Sequence, residues 1–325
     1  MIKGRKWQEW ALDAFFTISL LGIWPRFIEP RLLSVSKFDF SVPNLPKAFE
    51  GFKIIQLSDL HWNTYFPYTL LNQLNKKIQQ LKPDLIVFTG DLICRAKMEH
   101  REALKQWLIS LRAPMGCYAI LGNHDYADYF TVNSAGDYDL DEISPESDVN
   151  KGFKRLFKRV HLTKKTTQAA CQVSYNQDIL NIYTETGIRL LNNETVQLEL
   201  NGSEINLSGL EEYSCKRLDP VKTFQNYRSS LPGIILVHNP DAVTLLQDYP
   251  GDLILCGHTH GGEINLPLIW RKLCLIENSQ LKSGLKQFGR KWIYINRGLG
   301  GVMRIRWFAP PELTFITLRS CTATN

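Results

Sequence analysis

Asp252-Leu253-Ile254-Leu255-Cys256 runs directly into Gly257-His258-Thr259-His260-Gly261-Gly262. The apolar run reads as a buried strand, and the hexapeptide as a sharp turn at its end. Imidazole is the commonest nitrogen ligand for metals, and two of them on such a turn can reach two neighbouring ions. The flanking glycines allow φ > 0 and let the backbone come close to a bound group. A polar loop with two solvated histidines is the alternative for these six residues alone, and the rest of the chain decides between the two.

The same arrangement recurs. Phe52 to Leu57 is apolar and ends in Ser58-Asp59-Leu60-His61, and Leu70, Leu71, Leu74, Ile78 and Leu81 then hold helical spacing up to Pro83. Asp84 to Phe88 ends in Thr89-Gly90-Asp91, a helix covers about Arg101 to Leu111, and Cys117 to Leu121 ends in Gly122-Asn123-His124-Asp125. Gly233 to Val237 ends in His238-Asn239-Pro240-Asp241, with a short helix to about Gln247. Alternating apolar strands and helices predict parallel or mixed sheets covered by helices. In such layers ligands bind at the carboxyl ends of strands, where every one of these motifs sits. Further strands are expected at Leu33 to Phe40, at Val196 to Leu200 and Glu204 to Leu207 around the Asn201-Gly202 turn, at Trp292 to Ile295 and at Leu313 to Leu318. The expectation is an α/β protein of two sheets packed face to face with helices outside.

The chain has 325 residues, 44% hydrophobic and 22% charged, ordinary for a folded protein and against wholesale disorder. Lys+Arg 38 against Asp+Glu 32 leaves a formal +6, too mild to argue for a nucleic-acid partner. Cys94, Cys117, Cys171, Cys215, Cys256, Cys274 and Cys321 form no CxxC pair, and their odd number closes no disulfide framework. They read as buried thiols of a cytoplasmic protein.

Residues 1–31 differ from the rest. Lys3, Arg5 and Lys6 precede Trp7 to Asp13 and the uncharged run Ala14 to Trp24, with Pro25, Pro30, Pro43 and Pro46 then punctuating an extended connection. Arg5, Glu9, Asp13 and Thr17 form one polar stripe at helical spacing, and Trp7, Trp10, Phe15, Phe16, Ile18, Leu20 and Leu21 cover most of the remainder. That suits a helix in the membrane interface, on the cytoplasmic face of the inner membrane given the cysteines. A helix docked on the domain competes with it; a signal peptide is weakened by the lack of a small-residue cleavage site.

Five of seven histidines, His61, His124, His238, His258 and His260, lie at strand ends beside Asp59, Asp91 and Asn123. Carboxylate, amide and imidazole donors together suit Mn²⁺, Zn²⁺ or Fe²⁺. One carboxylate can bridge two ions about 3.5–4 Å apart, as used for in-line displacement at phosphorus.

In order and strand context, these blocks resemble the five signature blocks of calcineurin-like metallophosphoesterases, from about residue 52 to 318. The resemblance implies a four-layer α-β-β-α sandwich of two mixed sheets over residues 32–325, following the membrane-interacting segment 1–31. It also implies two divalent metal ions, Mn²⁺ favoured and Zn²⁺ or Fe²⁺ as alternatives. Asp59, His61, Asp91 and His260 would hold one, and Asp91 would bridge to a second completed by Asn123, His238 and His258. His124 would stabilise the phosphoryl oxygens or protonate the leaving group. The chain also departs from the pattern. Cys94 stands where the protein-phosphatase branch has an aspartate, so the group orienting His124 is open, with Asp125 a candidate. Glu263 stands where relatives with an N-terminal membrane segment have a glutamine; a carboxylate there would affect metal preference or make a salt bridge at the rim, and the salt bridge is expected. Arg297, in Asn296-Arg297-Gly298-Leu299-Gly300, is a candidate phosphate contact or a structural residue.

The excursion from Tyr126 to Gln177 is acidic and turn-rich up to Val149 and then reverses sign. In Lys151 to His161, Phe153, Leu156, Phe157 and Val160 share one helical face, with Lys154, Arg155, Lys158 and Arg159 around it. Such a helix reads as membrane-surface binding, and beside the metal motifs it is a candidate lid that also receives acyl chains and a pyrophosphate; a docked helix with a solvated basic face is the alternative. Together these features resemble the UDP-2,3-diacylglucosamine pyrophosphohydrolases of lipid A synthesis, above all the branch with an N-terminal membrane segment found in chlamydiae. That implies a glycolipid-nucleotide substrate, a membrane-surface partner and no nucleic acid.

Overall fold

The computed structural model describes residues 7–141, 157, 160–267 and 269–321. Two six-stranded mixed sheets make up the body of the protein. The first has the order β1-β14-β2-β3-β4-β7, from β1 (Ser34–Val42), β2 (Lys53–Leu57), β3 (Leu85–Thr89), β4 (Cys117–Ile120), β7 (Arg189–Leu190) and β14 (Glu312–Ser320). The second has the order β12-β13-β11-β10-β9-β8, from β8 (Glu194–Leu200), β9 (Ser203–Gly209), β10 (Gly233–Leu236), β11 (Leu253–Cys256), β12 (Gly284–Phe288) and β13 (Lys291–Ile295). β2, β3, β4 and β7 run parallel, as do β9, β10, β11 and β13.

Strand periodicity divides each apolar run between two cores. Ile54, Leu85, Val87, Ile234, Leu236, Leu253 and Leu255 point between the sheets and form the sandwich core. Ile55, Ile86 and Phe88 point outward onto α2 (Tyr68–Leu81), α3 (Arg101–Ser110) and α4 (Gln177–Thr186), which present Leu74, Ile78, Leu104, Trp107, Ile179 and Ile182. Ile235, Ile254 and Ile293 point outward on the second sheet. The fourth layer is thinner than expected: a 3₁₀ segment, Pro240–Leu246, and loops cover that face with Ala242, Val243 and Leu246. Asn239 caps it and Pro240 stands at its first position, while only a few residues separate it from β11. Each fully buried Leu or Ile contributes about 1.5–3 kcal/mol, so the two cores on the first sheet hold the strand ends firmly.

Three further features differ from expectation. The helix α1 (Trp7–Ile18) continues in wider turns through Ser19–Ile28 and carries Pro25 within it, so the extended connection is shorter than the prolines suggest. Glu9–Arg31, with mean hydropathy 1.4, is long and apolar enough to cross the roughly 30 Å hydrocarbon core of a bilayer. Trp7, Trp10, Phe15 and Phe16 are exposed rather than packed on the sandwich, which removes the docked-helix reading. Of the seven cysteines, all free, only Cys215 and Cys256 are fully buried and Cys321 is exposed. The acidic stretch after Tyr126 contains a hairpin, β5 (Phe130–Val132) with β6 (Tyr138–Leu140). Lys154, Arg155, Lys158 and Arg159, the basic face expected of the insertion, lie outside the described residues.

Candidate metal centre

β2, β3 and β4 of one sheet and β10 and β11 of the other end at the same side of the sandwich. Gln56 Nε2 donates to the carbonyl of Cys256 at 2.8 Å, and His238 Nδ1 faces the carbonyl of Thr89 at 2.7 Å, which ties the two sets of ends together. The chain leaves its strands through left-handed residues: φ is 49° at Asp59, 46° at His61, 55° at Asp91, 70° at His258 and 52° at His260. Such conformations cost about 1 kcal/mol or more at non-glycine residues and persist where surrounding bonds over-determine them. Here the N–H of Asp59 donates to Gly90, that of His61 to Asp91 and that of Gly257 to His238, all at 2.9–3.0 Å. Gly90 (φ 94°) is required at its position, because a Cβ there would lie 2.5 Å from His238 Nδ1.

These turns bring all seven expected donors together. Asp59, His61, Asp91 and His260 offer ligand atoms within 4.8 Å of one another. His260 Nε2 lies 3.0 Å from His61 Nε2 and 3.3 Å from Asp59 Oδ1. Beside them, Asn123 Oδ1 lies 3.2 Å from His238 Nε2 and 3.0 Å from His258 Nδ1. Asp91 Oδ2 stands between the two groups, 3.5 Å from His61 Nε2 and 3.3 Å from His238 Nε2. The tautomers make this a cation site. His238 Nδ1 and His260 Nδ1 face the carbonyls of Thr89 and Gly300, so each carries a proton there and turns Nε2 toward a carboxylate, where the ring presents a lone pair once any proton on Nε2 is displaced. Lone pairs directed at buried anions fit a divalent cation between them. Asn123 Nδ2 donates to the carbonyl of Phe130 at 2.8 Å, which turns Oδ1 inward and makes β5 part of the centre's support.

The charges agree. Burial lowers His61 to about 4 and His258 to about 3, and depresses His260 well below the usual range, so these imidazoles stay neutral. Burial raises Asp59 to about 7. Burial alone would depress His238, yet the Asp91 carboxylate beside it holds that imidazole well above its ordinary value, and Asp91 is lowered in return. A proton on His238 thus occupies the place of a cation.

His124 Nδ1 accepts the backbone N–H of Arg95 at 2.9 Å, its ring stacks on Tyr129 at 4.0 Å between centroids, and Nε2 is 4.0 Å from Asp91 Oδ2. A hydrogen bond to Nδ1 places the proton of the neutral ring on Nε2, facing the centre. Burial holds the imidazole well below its ordinary pKa, which keeps it neutral. Asp125, the candidate for orienting it, instead accepts the N–H groups of Ile93 and Gly122 at 3.2 and 3.0 Å. It shapes the turn and does not hold the ring. Cys94, whose thiol burial pushes up to about 11, stands beside His61 and His124 as a neutral group.

A cleft opens over the donors, lined by Arg95, Tyr129, Phe130, Tyr138, Glu263 and Met303 among others. The insertion therefore contributes a wall through its hairpin. Arg297 does not line this cleft: its Nε donates to Glu312 Oε2 at 3.1 Å and Nη2 to Ser34 at 3.0 Å, contacts that fit the structural one of its two readings. Glu263 makes no rim ion pair within the described residues. Its carboxyl accepts the N–H groups of Val302 and Met303, and burial pushes it up to about 7. Sequence reasoning missed Arg306, which is fully buried and donates to the carbonyls of Arg297, Ala309 and Gly300, with Nη2 3.4 Å from His260 Nδ1. It also missed Tyr129 and the Arg95 N–H. The aromatic residue five positions after His124 was the available signal for the first; a backbone donor has none.

A family model described as calcineurin-like phosphoesterase matches residues 52–262. The chain is 40% identical over 306 residues to the UDP-2,3-diacylglucosamine pyrophosphatase LpxG of Chlamydia muridarum, covering 90% of this chain and 92% of that one. It is 39% identical over 305 residues to the protein of the same name from Chlamydia trachomatis, with the same coverage, 90% and 92%. It is also 32% identical over 298 residues to the uncharacterized metallophosphoesterase YkuE of Bacillus subtilis, covering 91% of this chain and 88% of that one.

Proposed function

The chain belongs to the calcineurin-like phosphoesterase family and is a hydrolase of that family, and from this premise we propose that it cleaves the pyrophosphate of UDP-2,3-diacylglucosamine. The products are UMP and 2,3-diacylglucosamine 1-phosphate. The observation that carries the reading is the seven-donor centre divided by Asp91, with a neutral His124 beside it. Likeness along 90% of the chain to the chlamydial pyrophosphatases supports the substrate. Asp59, His61, Asp91 and His260 would hold one divalent ion, and Asn123, His238 and His258, together with Asp91, would hold a second. Mn²⁺ suits this borderline-to-hard donor set, with Zn²⁺ and Fe²⁺ as alternatives. Such ions supply charge neutralisation at phosphorus and a lowered pKa for the attacking water.

His124 keeps its proton on Nε2, where it donates a hydrogen bond to a phosphoryl oxygen and stabilises the charge that develops there. Tyr129 and the Arg95 N–H hold the ring for that hydrogen bond. Lys154, Arg155, Lys158 and Arg159 follow in sequence the hairpin that lines the cleft and contribute cations toward the lipid pyrophosphate. The apolar segment Glu9–Arg31 attaches the enzyme to the cytoplasmic face of the inner membrane, where the substrate's acyl chains reside. The test is incubation of the full chain with UDP-2,3-diacylglucosamine and Mn²⁺ in detergent. UMP release is expected; cleavage of a chromogenic phosphodiester without UMP release would make it a broader phosphodiesterase.

A further inference from the structure

A second cavity lies between the root of α1 and the sandwich. The loop after Leu299 serves both spaces: Val302 and Met303 line the cleft, whereas Gly301, Arg304 and Ile305 line this cavity. Arg26, Arg31, Arg304 and Arg306 stand in its wall, with no aspartate or glutamate among the lining residues. Arg306 is committed to backbone carbonyls. Arg26 donates to the carbonyl of Arg304 at 3.0 Å, and the Arg304 guanidinium stacks 3.6 Å over the ring of Tyr65. Arg31 is exposed at the mouth and bonds the carbonyl of Phe27. None of these three lies in an ion pair with a carboxylate of the described residues. His61 reaches the same cavity from the metal centre, and its Nδ1 is buried without a hydrogen-bond partner.

The mouth is amphiphilic. Phe27 and Tyr65 line the cavity and are 55% and 66% exposed, continuous with the apolar surface of α1. The root itself is fixed: the N–H of Arg306 donates to the carbonyl of Pro25 at 2.8 Å, and Glu29 accepts the N–H of Ala309 at 2.7 Å and the indole of Trp24 at 2.9 Å. A preformed set of guanidinium groups without counter-charges, at the foot of an apolar helix, fits an anion that carries acyl chains. We infer that this cavity binds the phosphate of an anionic lipid, with its chains against Phe27 and α1. The inference rests on the reading that α1 meets a membrane. The phosphate comes either from bulk phospholipid or from the acylated sugar phosphate that the reaction releases.

The full chain in neutral detergent, studied by native mass spectrometry with dioleoylphosphatidylglycerol or dioleoylphosphatidylcholine, tests this directly. One phosphatidylglycerol retained per chain, in preference to phosphatidylcholine, is expected. The pair Arg31→Gln and Arg304→Gln should weaken retention about 25-fold, at about fivefold for each cation, and the corresponding lysine pair should keep most of it. Equal retention of the two lipids by the unaltered chain, or unchanged retention in the glutamine pair, overturns the inference. Displacement of phosphatidylglycerol by an equimolar amount of 2,3-diacylglucosamine 1-phosphate identifies the product as the resident lipid, and its failure to displace identifies bulk phospholipid; both support the site. Flotation with pure phosphatidylcholine vesicles reads membrane attachment separately, so loss of attachment and loss of the phosphate site are distinguishable.

Discussion

The metal centre and the N-terminal helix are opposites in how the chain holds them. At the centre, donors sit at the ends of buried strands, six of the seven are buried, and each is fixed by backbone bonds or a second partner. Among the described residues the helix is nearly all exposed and meets the sandwich at its root, through Pro25, Arg26 and Glu29. Position at the centre is set by bonds within the protein, whereas the outer part of the helix makes little contact with the sandwich. The first region should therefore respond to changes of a few tenths of an ångström, and the second to changes in apolar surface and charge.

The largest effect is expected from Asp91→Ala, which removes the oxygen between the two groups of donors. Turnover should fall by at least about a thousandfold together with metal content; full occupancy by elemental analysis would refute the shared role of Asp91. Gly122→Ala tests rigidity without removing a donor. A Cβ there would collide with Asp91 Oδ1 and lie 2.6 Å from its backbone nitrogen. A loss of about a hundredfold in kcat is expected, and an unchanged kcat would show the centre to be more yielding than the helix root.

Acidity gives a smaller effect with a definite sign. Asp91 raises the pKa of His238 against the effect of burial and so favours a proton on that imidazole wherever no cation takes its place. A cation must displace that proton, so affinity should rise with pH, by about tenfold per unit, up to the raised value and level off above it. Mn²⁺ titrations in buffers of different ionisation enthalpy read the released proton, and a flat profile would contradict it. At the helix root, Glu29→Ala leaves the N–H of Ala309 and the Trp24 indole without their acceptor. It should cost about 1–3 kcal/mol in denaturant unfolding while two metal ions are retained; loss of the ions would show that the two regions are not separable.

Much of this was legible in the residues. The strand runs alternate between two cores, and donors placed directly after them had to converge once the sheets packed. Less legible was whatever depends on backbone geometry. The N–H that fixes His124 comes from Arg95, a residue with φ of 53°, and no side chain advertises such a donor. Phe130 supports Asn123 through its carbonyl, so the short hairpin hidden in an acidic stretch gave no compositional sign of its role. Arg297 is open in sequence between a phosphate contact and a structural residue, because only the fold brings Glu312 beside it. Pro25 suggested a helix end, yet wider turns absorb it.

Anomalous scattering from crystals grown with Mn²⁺ tests the central claim most directly. Two peaks about 3.5–4 Å apart, with the Asp91 carboxylate in contact with both, are expected. A single peak, or a second one that Asp91 does not touch, would contradict the account.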